Sequence, residues 1–168
     1  ADHEFATLKG ITEDVTEIIL NLKQVRIKKK VEHEANVEKV TLSIKNKTEF
    51  TAGMIGEASP TFEIMNPELL ICTMDSSAKL DIEITIGKGR GYVPAEENKE
   101  KNSHFGYIPV AAIYTPIKNV KYAIENTRVE QRTDFEKLIM EVVTDGTIHP
   151  EDAVKQASRI LIQHLMII

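Results

Sequence analysis

Apolar residues along the chain switch twice between helical and strand spacing. Ile11, Val15, Ile18, Ile19 and Leu22 fall at steps of four, three, one and three, a single stripe that predicts a helix fading near Lys23. Gly10 precedes it, and Glu13 and Asp14 load its first turn with negative charge, where the helix dipole favours anions. The period then drops to two. Val25 and Ile27 alternate with Arg26 and Lys28, and Val40, Leu42 and Ile44 alternate with Thr41, Ser43 and Lys45, which predicts half-buried strands. Phe62 and Ile64 repeat the pattern, and Pro67 interrupts it before the continuous run Leu69-Leu70-Ile71-Cys72-Thr73-Met74. Asp75-Ser76-Ser77-Ala78 is turn chemistry, and Leu80, Ile82, Ile84 and Ile86 then alternate with Asp81, Glu83 and Thr85. Those last two runs, joined by a short polar turn, predict an antiparallel hairpin.

Gly87-Lys88-Gly89-Arg90-Gly91-Tyr92-Val93-Pro94 should break the strand, and Glu96 to Ser103 should form a polar surface loop. Apolar character returns at Tyr107-Ile108 and Ile113-Tyr114. A long hairpin is expected next, with strands near Ile117 to Glu130 and Asp134 to Val143 and apolar positions at Val120, Tyr122, Ile124, Leu138, Met140 and Val142. After the turn Asp145-Gly146, Pro150 marks a helix start, with Glu151 and Asp152 in the first turn. Ala153, Ala157, Ile160, Leu161, His164, Leu165 and Ile168 share one face of that helix. The stripe is too apolar for one hairpin to cover and wants a partner helix. Helix, several strands, long hairpin and helix in that order make an α+β chain rather than an alternating β-α-β one.

Composition narrows the classes. The chain has 168 residues, enough for one ordinary domain or two small ones, with 42% hydrophobic and 28% charged residues, which is globular rather than disordered. A formal net charge of -5 argues against broad attraction to nucleic acid or anionic membrane. A single cysteine, Cys72, excludes an intrachain disulfide and a cysteine-built zinc site. No apolar run reaches about 18 residues and no signal-peptide pattern opens the chain, so a cytoplasmic, membrane-free protein is expected. The start at Ala1 without Met and the stop on Leu165-Met166-Ile167-Ile168 read as the cut ends of a longer protein.

Three stretches invite chemistry. The loop Gly87 to Gly91 could cradle an anion or nucleotide on successive backbone N–H groups, with Lys88 and Arg90 adding charge. It lacks phosphate-loop spacing, and a tight strand exit is the plainer explanation. Lys23, Arg26, Lys28, Lys29 and Lys30 could touch nucleic acid, but aromatics are only 5% of the chain, and Glu32, Glu34 and Glu38 follow at once. A solvated strand edge guarded by lysines explains the cluster better. His3, His33, His104, His149 and His164 show no metal-ligand spacing, and Cys72 within an apolar run reads as a core residue. Glu125, Glu130, Asp134 and Glu136 alternate with Lys121, Arg128, Arg132 and Lys137, which suits cross-strand pairing rather than acid–base work. No catalytic residue, metal site or cofactor site emerges.

Four stretches in order carry a family resemblance. They are His3-Glu4-Phe5 with Glu13-Asp14-Val15 and Leu20-Asn21-Leu22-Lys23; Gly89 to Ala95, spelling Gly-Arg-Gly-Tyr-Val-Pro-Ala; Glu125 to Asp134, holding Arg-Val-Glu-Gln-Arg-Thr-Asp; and Asp145-Gly146-Thr147 with Pro150-Glu151-Asp152-Ala153. Together they resemble the alpha subunit of bacterial RNA polymerase, in a spelling similar to that of the Bacteroidetes and their relatives. The resemblance implies a non-catalytic scaffold that pairs with a second alpha subunit and nucleates assembly of the beta and beta prime subunits. It implies an insert domain of mixed or antiparallel sheet with one helix over residues 1–114, and the carboxy-terminal half of a dimerisation domain, long hairpin plus helix, over 115–168. The family's first strands and an arginine-bearing helix would precede Ala1, and its DNA-binding domain would follow Ile168, so no direct nucleic-acid contact is implied for these residues. Carried over position by position, Lys23, Arg90, Gly91, Tyr92 and Val110 match segments that face the large subunits. Ile160, Leu161, Leu165 and Ile168 match the dimer seam. Ala111 departs from the family, many members of which carry an acid there, and the loop from Glu96 to Phe105 is assigned no contact.

Overall fold

The computed structural model describes residues 6–31, 35–99 and 106–168, and the chain divides into two compact units, Ala1–Thr115 and Pro116–Ile168. His3-Glu4-Phe5, Glu32, His33, Glu34 and His104 lie outside the described residues, as does the stretch from Glu100 to Phe105.

In the first unit, α1 (Val15–Lys23) begins later than its stripe suggests. Asp14 is not in the first turn but caps it. Its side chain accepts from the Glu17 N–H at 2.8 Å while Glu17 accepts from the Asp14 N–H at 3.1 Å, a reciprocal capping box. Ile11 therefore sits outside the helix, in an isolated antiparallel bridge with Met74. Glu13 is also outside it, and its carboxylate accepts the N–H and hydroxyl of Thr73.

Of the strands β1 (Ile27–Lys29), β2 (Val37–Lys45), β3 (Glu49–Thr51), β4 (Phe62–Ile64), β5 (Leu70–Thr73) and β6 (Lys79–Gly87), β1, β2, β4 and β6 follow the alternation, β5 is the continuous apolar run with adjacent Ile71 and Cys72 both buried, and β3 carries no pattern of its own in the sequence. Their pairing does not follow the expected hairpin. β5 pairs with β3, with Phe50 opposite Cys72, while β6 pairs with β2 from Val37–Gly87 to Lys45–Lys79. The turn at Asp75 thus joins two different ladders. The long apolar rungs Val40–Ile84, Leu42–Ile82 and Ile44–Leu80 favour the distant partner over the near one. On the outward face Ser43 donates to Asp81 at 2.6 Å and Lys79 pairs with Asp81 at 2.6 Å. The Lys79 and Ser43 hydrogen bonds hold the Asp81 carboxyl below its usual range. All ladders among the described residues are antiparallel.

A second helix was not expected: α2 (Ala52–Ala58) joins α1 in this unit. Its two glycines let its backbone approach the chain below. A Cβ on Gly53 would lie 3.1 Å from the Pro67 carbonyl oxygen, and one on Gly56 would lie 3.0 Å from Ile64. The core gathers Ile18, Val40, Phe50, Ile55, Ile71 and Cys72 from both helices and three ladder strands.

Cys72 is fully buried, and burial first, then the charge of Glu13, pushes its thiol from 9.0 up to about 11. Below pH 9 both folded and unfolded thiols are neutral and nothing changes. Between about pH 9 and 11 only the unfolded thiol ionises, so folding stability falls by about 2–3 kcal/mol. Urea midpoints at pH 8 and pH 10.5 should therefore diverge more for the wild type than for Cys72→Ala. Equal losses in both chains would refute the assignment.

The second unit is a long ribbon followed by a helix. β9 (Ile117–Val129) and β10 (Arg132–Thr144) pair with Val142 opposite Val120, Met140 opposite Tyr122 and Leu138 opposite Ile124. On the other face Lys137 lies opposite Glu125 and Glu141 opposite Lys121. At the tip, Glu130 takes a left-handed φ of 55° and its carbonyl accepts from Arg128 at 2.8 Å. Arg132 pairs with Asp134 at 2.9 Å and its guanidinium lies 5.2 Å from the centre of the Phe135 ring. The Arg-Val-Glu-Gln-Arg-Thr-Asp run is thus a hairpin turn.

Asp145 accepts from the N–H and hydroxyl of Thr147 and donates its own N–H to Pro116, fixing the turn into α3 (Pro150–Leu165). That helix is shorter than its stripe. Met166 is the C-cap, so Ile168 lies beyond the helix. No residue of α3 is buried, His164 included.

Candidate functional site

Two surfaces stand out, one in each unit. The first is built on the glycine loop. β7 (Tyr92–Val93), unexpected after so many glycines, pairs with β8 (Ala112–Ile113), placing Tyr92 opposite Ile113. Both side chains of this rung are open to solvent, at 62% and 67% exposure. An aromatic and a β-branched residue paired across strands and left uncovered form an unusual apolar patch.

Gly89 is explained by a protein contact and Gly91 by its backbone conformation. A Cβ on Gly89 would lie 2.7 Å from the Tyr114 ring, so the ring occupies the space that a side chain would need. Gly91 has φ +63°, and its carbonyl accepts N–H bonds from Tyr114 at 2.8 Å and Thr115 at 3.2 Å. The Lys88 N–H donates to the Asn36 carbonyl at 2.8 Å. With one amide spent on Asn36 and Gly89 roofed by an aromatic ring, the loop offers little of an anion cradle. It is a strand exit.

Farther along, Asn98 donates its side-chain amide to the Val110 carbonyl at 2.8 Å, and the Tyr107 hydroxyl donates to the Asn98 carbonyl at 2.9 Å. Arg90, Gly91 and Tyr92 are exposed and contiguous, and the Asn98 bond brings Val110 to the same small sub-structure. Lys23 is placed elsewhere, as the last residue of α1, which packs against β5. The basic cluster is spread over local contacts: Lys29 donates to Asn36 at 2.9 Å and Lys30 to the Ser59 carbonyl at 2.9 Å. Ile113, Tyr114, Asn98 and Tyr107 escaped sequence reasoning as site residues. The one usable signal was an aromatic residue that could roof a glycine.

The second surface is apolar and lies in the ribbon unit. Tyr122, Ile124, Leu138 and Met140 are exposed on one ribbon face. On α3, Leu161 and Leu165 are 64% and 66% exposed, Ile160 is exposed beside them, and Val154 falls on the same stripe one heptad before Leu161. Ile168 is fully exposed past the helix end. Among the described residues no group of three metal-ligating side chains gathers, and no helix is long and apolar enough to cross a membrane.

An exposed aromatic rung on a small α+β unit, and an exposed apolar ribbon face and helix stripe on another, are the apolar surfaces that stand out among the described residues. Residues 1–115 match the family described as the RNA polymerase Rpb3/RpoA insert domain, and the chain belongs to that family. It is similar to the DNA-directed RNA polymerase subunit alpha of Cytophaga hutchinsonii, 61% identical over 98% of this chain and 50% of that protein. The subunits of the same name from Bacteroides fragilis and Chlorobium chlorochromatii are 58% and 46% identical, over 99% and 98% of this chain respectively and 50% of each relative. The chain spans about half the length of the curated relatives it matches.

Proposed function

We propose that this chain belongs to a non-catalytic scaffold subunit of bacterial DNA-directed RNA polymerase, which pairs with a second copy of itself and nucleates assembly of the beta and beta prime subunits in the cytoplasm. The observation that carries the reading is the 61% identity to a polymerase alpha subunit over 98% of the chain, across both units and not the insert region alone. Residues 1–114 act as the insert domain, and 115–168 as the carboxy-terminal half of a dimerisation domain.

Arg90, Gly91, Tyr92 and Val110, with Lys23 on its own element, face the large subunits in this reading. Its support is that an exposed Tyr beside an Arg has the composition of an interface anchor. Ile160, Leu161 and Leu165 form the seam between two copies, with Ile168 just past the helix contributing at its margin. The second reading, an anion- or nucleotide-binding protein centred on Gly87 to Gly91, gains no support from the loop's contacts. A tagged full-length chain co-expressed with beta and beta prime should recover both on affinity purification. Recovery of neither, or of a nucleotide instead, would overturn the proposal.

A further inference from the structure

We propose that Asn98 and Tyr107 form a clasp that sets the shape of the Tyr92–Val110–Ile113 face, acting as positioning residues for the docking of a large polymerase subunit. The inference rests on the reading above that this face meets such a subunit.

A ladder of two rungs, Tyr92–Ile113 and Val93–Ala112, is far below the length at which a strand pair holds itself together in water. It needs bracing at both ends. At one end the Gly91 carbonyl takes two N–H groups, from Tyr114 and Thr115. At the other, the side chain of Asn98 reaches across to the Val110 carbonyl at 2.8 Å. Asn98 is itself held on both sides. Its backbone N–H turns back toward the Pro94 and Ala95 carbonyls, and its carbonyl accepts the Tyr107 hydroxyl at 2.9 Å. The clasp therefore joins the turn that follows β7 to the segment that leads into β8.

All of these groups are partly buried, whereas the rung they brace is exposed. A clasp that is removed leaves the core of the unit intact but releases Tyr92, Val110 and Ile113 to several arrangements. Binding must then select the competent one, which lowers apparent affinity in proportion to its population.

The test uses the full-length chain and a purified complex of the large subunits, with affinity measured alongside the thermal midpoint of the free chain. Asn98→Ala and Tyr107→Phe should each weaken binding about three- to ten-fold. The double variant should lose no more than the worse single, because both bonds serve one device. The thermal midpoint should stay where it was. Losses that multiply in the double variant, affinity that is unchanged in either single, or a midpoint that falls in step with affinity would each overturn the clasp. Tyr92→Ala separates the two levels. If it binds normally, the face is not a docking surface and both readings fall; if it binds poorly while Asn98→Ala binds normally, only the clasp is lost.

Discussion

In the proposed seam, replacing Leu161 and Leu165 together with aspartate should weaken self-association on the order of a thousand-fold or more. The two leucines are one helical turn apart on α3 and stand 64% and 66% exposed, so neither supports the fold of its own unit. Each leucine would forfeit roughly 2 kcal/mol of apolar burial in a seam, and each carboxylate would add a desolvation cost there. Sedimentation velocity on the full-length chain would follow the change. Gln156→Asp, off the apolar stripe, should leave pairing intact. A double variant that still sediments as the pair would remove α3 from the seam.

The second large effect lies in the core of the other unit. Phe50 is completely buried on β3, opposite Cys72. Phe50→Ala should cost about 3–5 kcal/mol, the sum of lost burial and an unfilled cavity. Cys72 provides the readout, since its buried thiol reacts with a thiol reagent only when the core opens. The urea concentration at which the thiol becomes reactive should fall accordingly. A shift worth less than about 1 kcal/mol would mean that the core collapses around the gap or does not depend on Phe50.

How far the fold could be read from residues depended on how local its pairings are. Val120, Tyr122, Ile124, Leu138, Met140 and Val142, picked out by alternation alone, face one another rung by rung in the ribbon. There the partner strand is next in sequence, and period and register carry the same information. β5 and β6 are also consecutive, with a good turn between them, yet each pairs with a strand that precedes both. Alternation gives the face of a strand but not its neighbour. α2 was illegible for another reason. Ala-Gly-Met-Ile-Gly-Glu-Ala has two poor helix formers and no stripe, and it is helical because Gly53 and Gly56 permit close contact with Pro67 and Ile64. At the proposed docking face, Arg90, Gly91 and Tyr92 are carried over from the spelling of a family motif. Asn98 lay in a polar stretch with nothing to distinguish it. Its part depends on a hydrogen bond to Val110, twelve positions away, that no periodicity encodes.

The contrast between the two units also sets an order of events. The ribbon closes from a two-residue tip, and every rung zips next to the last, the kind of local pairing that forms in about 1–10 μs. The ladder from Val37–Gly87 to Lys45–Lys79 must bring together segments dozens of residues apart before any rung forms, so loop closure comes first and the reward later. The ribbon's exposed apolar side, with Tyr122, Ile124, Leu138 and Met140, can thus form before the long ladder of the other unit closes. A surface of that kind, presented before the rest of the chain has folded, is open to aggregation, and a partner that covered it early would protect the chain as well as assemble with it.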